Sequence, residues 1–136
     1  VRFDLTGDGV IDGKDEALKL PRAAEWTYSI GLTHDWLFDS GSALSARVNY
    51  AFRDDAFYTD NNRGWLLSQE MLDAGLDYAL SGGHWVFSLY GSNLLDDVNH
   101  GGDTQLPAMI GPVPAGGTFS PLIKGRIVGF EVTFNY

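Results

Sequence analysis

The chain has 136 residues, no cysteine, 44% hydrophobic and 13% aromatic residues, 17 glycines, and 18 acidic against 9 basic side chains, for a formal charge of −9. That length is one domain's worth at most, and the missing cysteine excludes disulfide scaffolds, thiolate zinc sites and thiol catalysis. An acidic balance without clustered lysine and arginine also argues against a nucleic-acid partner, because neutralising phosphates requires such clusters.

No run approaches the roughly 18 consecutive apolar residues of a membrane-spanning helix, and no signal-peptide pattern opens the chain. It starts in mid-pattern at Val1-Arg2-Phe3-Asp4, which suits either a small soluble protein or a piece of something larger. The segment from Asp4 to Asp15 then reads as a calcium loop. That geometry needs oxygens at loop positions 1, 3, 5, 7, 9 and 12, with glycine at position 6. They fall on Asp4, Thr6, Asp8, the Val10 carbonyl, Asp12 and Asp15, with Gly9 in place. The pattern resembles dockerin and EF-hand loops, with Asp at position 12 as in dockerins. Because Asp, Gly and Thr are also ordinary turn residues, a solvated surface turn is the competing reading.

Beyond this loop the dominant period is two. Between Glu25 and Trp36, Trp26, Tyr28, Ile30 and Leu32 alternate with Thr27, Ser29, Gly31 and Thr33, which predicts a strand with one apolar face. Leu44, Ala46, Val48, Tyr50 and Phe52 form a second stripe, against Ser45, Arg47, Asn49, Ala51 and Arg53. A third runs through Leu72, Ala74, Leu76, Tyr78 and Leu80, and a fourth, from His84 to about Asn93, through Trp85, Phe87 and Leu89. Val128, Phe130, Val132, Phe134 and Tyr136 make the fifth. Helical periodicity appears nowhere, so the expected class is all-β: an antiparallel up-and-down meander of about five strands.

The connections alternate in length. Phe38-Asp39-Ser40-Gly41 and Ser81-Gly82-Gly83 carry tight-turn chemistry. The stretches Asp54 to Ser68 and Asp96 to Gly125 are long, and the opening segment falls on their side.

Such strands suit either a soluble sandwich, whose apolar face looks into a core, or a transmembrane barrel, whose apolar face looks out to lipid. Three features favour the barrel. Trp26 and Trp36 lie on one stripe at a spacing that covers roughly 25 Å of membrane normal at a tilt of about 40°. Arg47, Asn49, Asp73, Asp77 and Glu131 sit on the alternate face, which suits a wet lumen or contact with an internal plug. Short turns on one side and long loops on the other match periplasmic turns and extracellular loops.

The segment Leu20-Pro21-Arg22-Ala23-Ala24-Glu25-Trp26-Thr27 resembles the approach to a late barrel strand in TonB-dependent outer-membrane receptors, with Ala24 where that family usually has proline. Leu72-Asp73-Ala74-Gly75-Leu76-Asp77-Tyr78, and the run from Trp85 to Asp96 ending Asn93-Leu94-Leu95-Asp96, resemble the family's closing region, with Leu95 where phenylalanine is commoner. Val128, Phe130, Val132, Phe134 and the terminal Tyr136 resemble the signal read by the outer-membrane assembly machinery.

The resemblance implies the last five strands of a 22-stranded barrel in a Gram-negative outer membrane. Residues 1–20 would be an extracellular loop and residues 21–136 the C-terminal barrel strands. It further implies active uptake of a scarce solute of the siderophore, cobalamin or glycan class. The implied partners are outer-membrane lipid, the plug and remaining strands, and TonB acting through an N-terminal region. Trp65 and Phe119, both in long loops, are the aromatics expected to touch substrate. A secreted calcium-binding β-sandwich or dockerin-like binding module is the alternative.

Enzyme chemistry is not expected. His34, His84 and His100 share no metal-ligand spacing, and no Ser-His-Asp set is apparent. The Gly111 to Gly117 stretch precedes no helix and makes no phosphate cradle. Calcium is the only cofactor the residues suggest.

Overall fold

The protein is described here from a computed structural model covering residues 3–62, 64–99, 104–106, 109–110, 113–114 and 117–136. One helical turn, α1 (Gly13–Glu16), precedes the strands. They are β1 (Thr27–Leu37), β2 (Ala43–Arg53), β3 (Ala56–Phe57), β4 (Trp65–Leu66), β5 (Gln69–Ala79), β6 (Trp85–Ser92), β7 (Thr104–Leu106), β8 (Met109–Ile110), β9 (Val113–Pro114), β10 (Gly117–Phe119) and β11 (Ile127–Phe134). The fold is all-β. Its main sheet is an antiparallel five-stranded meander in the order β1-β2-β5-β6-β11.

The chain divides into two compact units. One holds residues Val1–Trp26, Asp54–Ser68 and Asn99–Ile123; the other, Thr27–Arg53, Gln69–Val98 and Lys124–Tyr136, contains the main sheet. Three small two-stranded ladders, β3 with β4, β7 with β10 and β8 with β9, belong to the first.

Period-two alternation sets the sheet's register, because a slip of one residue would turn every apolar side chain to the other face. Trp36, Leu44, Tyr78, Phe87 and Val132 are partners in succession across the five strands. So are Leu32, Val48, Ala74, Gly91 and Val128. The five sequence stripes thus merge into one continuous apolar face.

Both short connections close as tight turns. Between β1 and β2, the Gly41 N–H donates to the Phe38 carbonyl at 2.8 Å, with Gly41 at φ 80°. Between β5 and β6, the Gly83 N–H donates to the Leu80 carbonyl at 2.9 Å, and Gly82 and Gly83 both take positive φ. A side chain with a Cβ is strained at these angles, which is why glycine stands there.

On the opposite face Thr33, Arg47, Gly75, Tyr90 and Gly129 are consecutive partners, so large and small residues alternate. Arg47 lies across Gly75, where a Cβ would fall 2.7 Å from its Nε, and the guanidinium pairs with Asp77. The Tyr90 ring lies across Gly129 in the same way.

The long excursion between β6 and β11 is pinned at its base by Asn93, which is 2% exposed and takes φ 49°. Its Nδ2 donates to the carbonyls of Asp97 (3.0 Å) and Lys124 (3.1 Å), and its Oδ1 accepts from the Asp97 N–H at 3.0 Å. Its own N–H donates to Asp73 Oδ1 at 2.9 Å, which fastens the clamp to β5. One residue thereby joins the end of β6, the approach to β11 and the middle of β5.

The observed strand ends differ from the expected ones by up to a few residues. β1 starts at Thr27 rather than Glu25, β5 starts earlier than Leu72, and β11 stops at Phe134. The Asn135 N–H still donates to the His84 carbonyl, and Tyr136 lies beyond the last strand, fully exposed. Residues 101–103 and 111–112, part of the long glycine- and proline-rich stretch, lie outside the described residues, as does His100.

Candidate functional site

The sheet unit leaves an unusual surface uncovered by the rest of the chain. Ile30 is 71% exposed, Leu32 67% and Phe130 64%, and Val48, Leu76, Leu89, Val128 and Val132 on the same face are exposed as well. Full burial of such a side chain is worth about 1.5–3 kcal/mol, of which each forgoes the share left exposed to water. Among the described residues only Ala56 and Leu66 are buried hydrophobic groups, and both lie outside the main sheet.

The face is graded along the strands. At one end Tyr28 stacks on Phe52 with ring centroids 5.2 Å apart and lies 6.2 Å from Tyr50. At the other, Trp85 meets Phe134 at 4.7 Å, and His34 meets Trp36 edge-on at 4.4 Å. Ile30, Leu32, Val48, Leu89 and Val128 fill the band between. The opposite face carries Arg47, Asn49, Asp73, Asp77 and Glu131, as the alternation requires. Asp73 there accepts from Ser92 Oγ at 2.9 Å.

Four of the expected assembly-signal residues, Val128, Phe130, Val132 and Phe134, occupy alternate positions of β11 and are all exposed. Tyr136, the fifth, follows the strand rather than belonging to it.

Four of the six calcium-loop positions, Asp4, Asp8, Asp12 and Asp15, accept from backbone amides of the same segment. Asp4 Oδ1 accepts from the Gly7 N–H at 2.6 Å and Oδ2 from the Gly9 N–H at 2.8 Å. Asp8 accepts from the Val10 N–H and meets Lys14 Nζ at 3.3 Å. Asp12 caps α1 through the Lys14 N–H, and Asp15 reciprocates by accepting from the Asp12 N–H at 2.9 Å, a capping box. Asp15 also takes the amides of Leu5 and Thr6. Among the described residues, no group of three or more histidine, cysteine, aspartate or glutamate side chains is arranged to hold a metal ion.

The same amides, foremost that of Gly9 for Asp4 and that of Thr6 for Asp15, hold both carboxyls below the usual carboxylate range. Their folded values are lowered, so their contribution to loop order is complete above the ordinary carboxylate pKa and is lost as pH falls through the lowered values. Protection of the Gly7 and Gly9 amides, taken relative to the intrinsic exchange rate at each pH, should therefore hold from pH 7 to 5 and fall only in stronger acid. A fall in protection between pH 7 and 5 would contradict these bonds.

Trp65 lies in the short ladder of β3 with β4, which the sequence pattern did not reveal. Ala56 pairs with Leu66 and Phe57 with Trp65. Ala56 and Leu66 are buried at 5% and 6% exposure, while Trp65 stays 55% exposed with its ring 4.2 Å from that of Phe57. Beside this pair is a cleft of about 190 Å³, also lined by Lys19, Glu25, Asp54 and Asp55. Lys19 pairs with Glu25, and that hydrogen bond, joined by the fields of Asp55 and Asp54, raises the lysine pKa. Arg22 donates to the Tyr58 hydroxyl at 2.6 Å, and its guanidinium lies 4.5 Å from that ring's centroid. Phe119 is exposed on the separate ladder of β7 with β10.

Sequence reasoning singled out Trp65 but did not join it to Lys19, Phe57 or the carboxylates that share its cleft. The alternation of Ala56-Phe57 and Trp65-Leu66 was the available signal, two residues long. No protein-family model matches this chain, and no curated protein or solved structure shows significant similarity to it.

Proposed function

We propose that this chain is wall and loop of an outer-membrane β-barrel, the C-terminal strands of a TonB-dependent receptor that takes up a scarce solute. The observation that carries the reading is the continuous apolar face of the five-stranded sheet, exposed along its length and edged at both ends by aromatic pairs. Tryptophan and tyrosine suit membrane interfaces because one end of the ring is apolar and the other polar. At about 3.3 Å per residue and a tilt near 40°, the eleven residues of β1 cross roughly 28 Å, enough for the apolar band of such a barrel.

A secreted sandwich would lay a second sheet on that face. Among the described residues the remaining ladders have two strands each. The unpaired edges of β1 and β11 are where further barrel strands would continue the hydrogen-bond ladder, since a membrane sheet tolerates no open edge.

In this account Arg47, Asp77 and Glu131 line the lumen, where water or a plug solvates them. The unit that holds Trp65 and Phe119 supplies extracellular loops to the solute. The test is alternate reagent access along β2, with single cysteines on the polar face reached by a water-soluble maleimide and those on the apolar face shielded from it by lipid. Uniform access would contradict the proposal.

A further inference from the structure

We propose that the cleft beside Trp65 binds one ring of an uncharged saccharide. This deepens the receptor reading and rests on it only in taking these loops as the ones that face outside.

The ladder of β3 with β4 has two faces, and the larger apolar pair is on the wrong one for stability. Ala56 and Leu66 are buried, while the far larger Trp65 stays exposed. A tryptophan held outward on a paired backbone, with Phe57 fixed against it, is a stacking surface for something outside the chain.

The cleft's size narrows the occupant. At about 190 Å³ it is smaller than the roughly 300–1,000 Å³ of pockets that enclose drug-sized ligands, so it takes a single ring rather than a whole metal chelate.

Its chemistry narrows it further. The carboxylates of Asp54, Asp55 and Glu25 only accept hydrogen bonds, and the Lys19 ammonium beside Glu25 only donates. Neighbouring ring hydroxyls do both, and the C–H face of a sugar ring lies flat on an indole. An anionic ligand would face three carboxylates against one ammonium. Lys19 pairs with Glu25 and leaves Asp54 and Asp55 to other partners, so an organic cation is the rival occupant, which the spermidine titration below separates from the saccharide.

The test is calorimetric titration of the full-length protein in detergent with a panel of neutral tetrasaccharides built on glucose, galactose, mannose, xylose and N-acetylglucosamine, alongside spermidine and ferric citrate. At least one tetrasaccharide should bind saturably. Trp65→Ala should weaken it about tenfold or more, the loss expected of an aromatic anchor, and Trp65→Phe less. Asp54→Asn with Asp55→Asn should weaken it about threefold, and added salt should change affinity by less than about twofold because the ligand is uncharged.

No saturable saccharide binding would overturn the proposal. So would binding indifferent to both Trp65 variants, or saturable binding of spermidine or ferric citrate alone that Trp65→Phe or the double asparagine variant abolishes. Circular dichroism matching the parent keeps a Trp65→Ala loss from being read as misfolding; Trp65→Phe decides if that match fails. Uniform maleimide access along β2 would defeat the membrane reading and leave this binding result standing.

Discussion

Val48→Arg should destabilise the membrane-inserted protein by about 2–4 kcal/mol, the cost of arginine on a lipid face near the bilayer midplane. Val48 lies in the middle row of the apolar face, between Leu32 and Ala74. Asn49→Arg, one residue along, puts the same charge on the other face opposite Asp73, and should change stability within about 0.5 kcal/mol. Reversible urea unfolding from lipid vesicles measures both. The contrast carries the argument, because β2 propensity and chain position are nearly identical at the two sites. Equal effects, or a larger effect at Asn49, would mean that lipid does not cover the face containing Val48.

Asn93→Ala should be the most damaging single change outside the apolar face. It strips partners from the Asp97 amide and carbonyl and from the Lys124 carbonyl around a site 2% exposed. Leaving such groups unpaired costs about 3 kcal/mol or more in total, and φ 49° adds about 1 kcal/mol for a residue with a Cβ and no side-chain hydrogen bond. Asn93→Gly relieves only the angle and should be milder by about that amount. Unfolding free energies of the two variants, with amide exchange along β6 and β11, decide the matter. A loss below about 1 kcal/mol for Asn93→Ala would show that the loop base is held by something else.

Much of the sheet was legible because period two is a long-range signal when it runs for eight to eleven residues, as it does in β2 and β11. Gly41 and the Gly82-Gly83 pair marked the short turns by chemistry alone. The ladder of β3 with β4 was not legible, since two residues make no period. α1 escaped for the same reason, although Asp12 and Asp15 stand at capping-box spacing.

Asn93 was noticed as part of a resembling signature, Asn93-Leu94-Leu95-Asp96, without its physical role. That role depends on Lys124, thirty-one positions away, and no local pattern announces such a partner. The same holds for the cleft at Trp65, which draws Lys19 and Glu25 from before β1 and Asp54 and Asp55 from after β2.

The central claim is that lipid covers the apolar face and water the other. This chain has no cysteine, so each introduced thiol in it is the only one. Single cysteines at Ala46, Val48 and Tyr50 should resist a membrane-impermeant maleimide in the inserted protein and react with it once the protein is unfolded in urea, because a thiol in hydrocarbon does not form the reactive thiolate. Cysteines at Arg47, Asn49 and Ala51 should react with the impermeant reagent in the inserted protein once the barrel is opened to water. Reaction of all six with the impermeant reagent in the inserted protein would contradict the account.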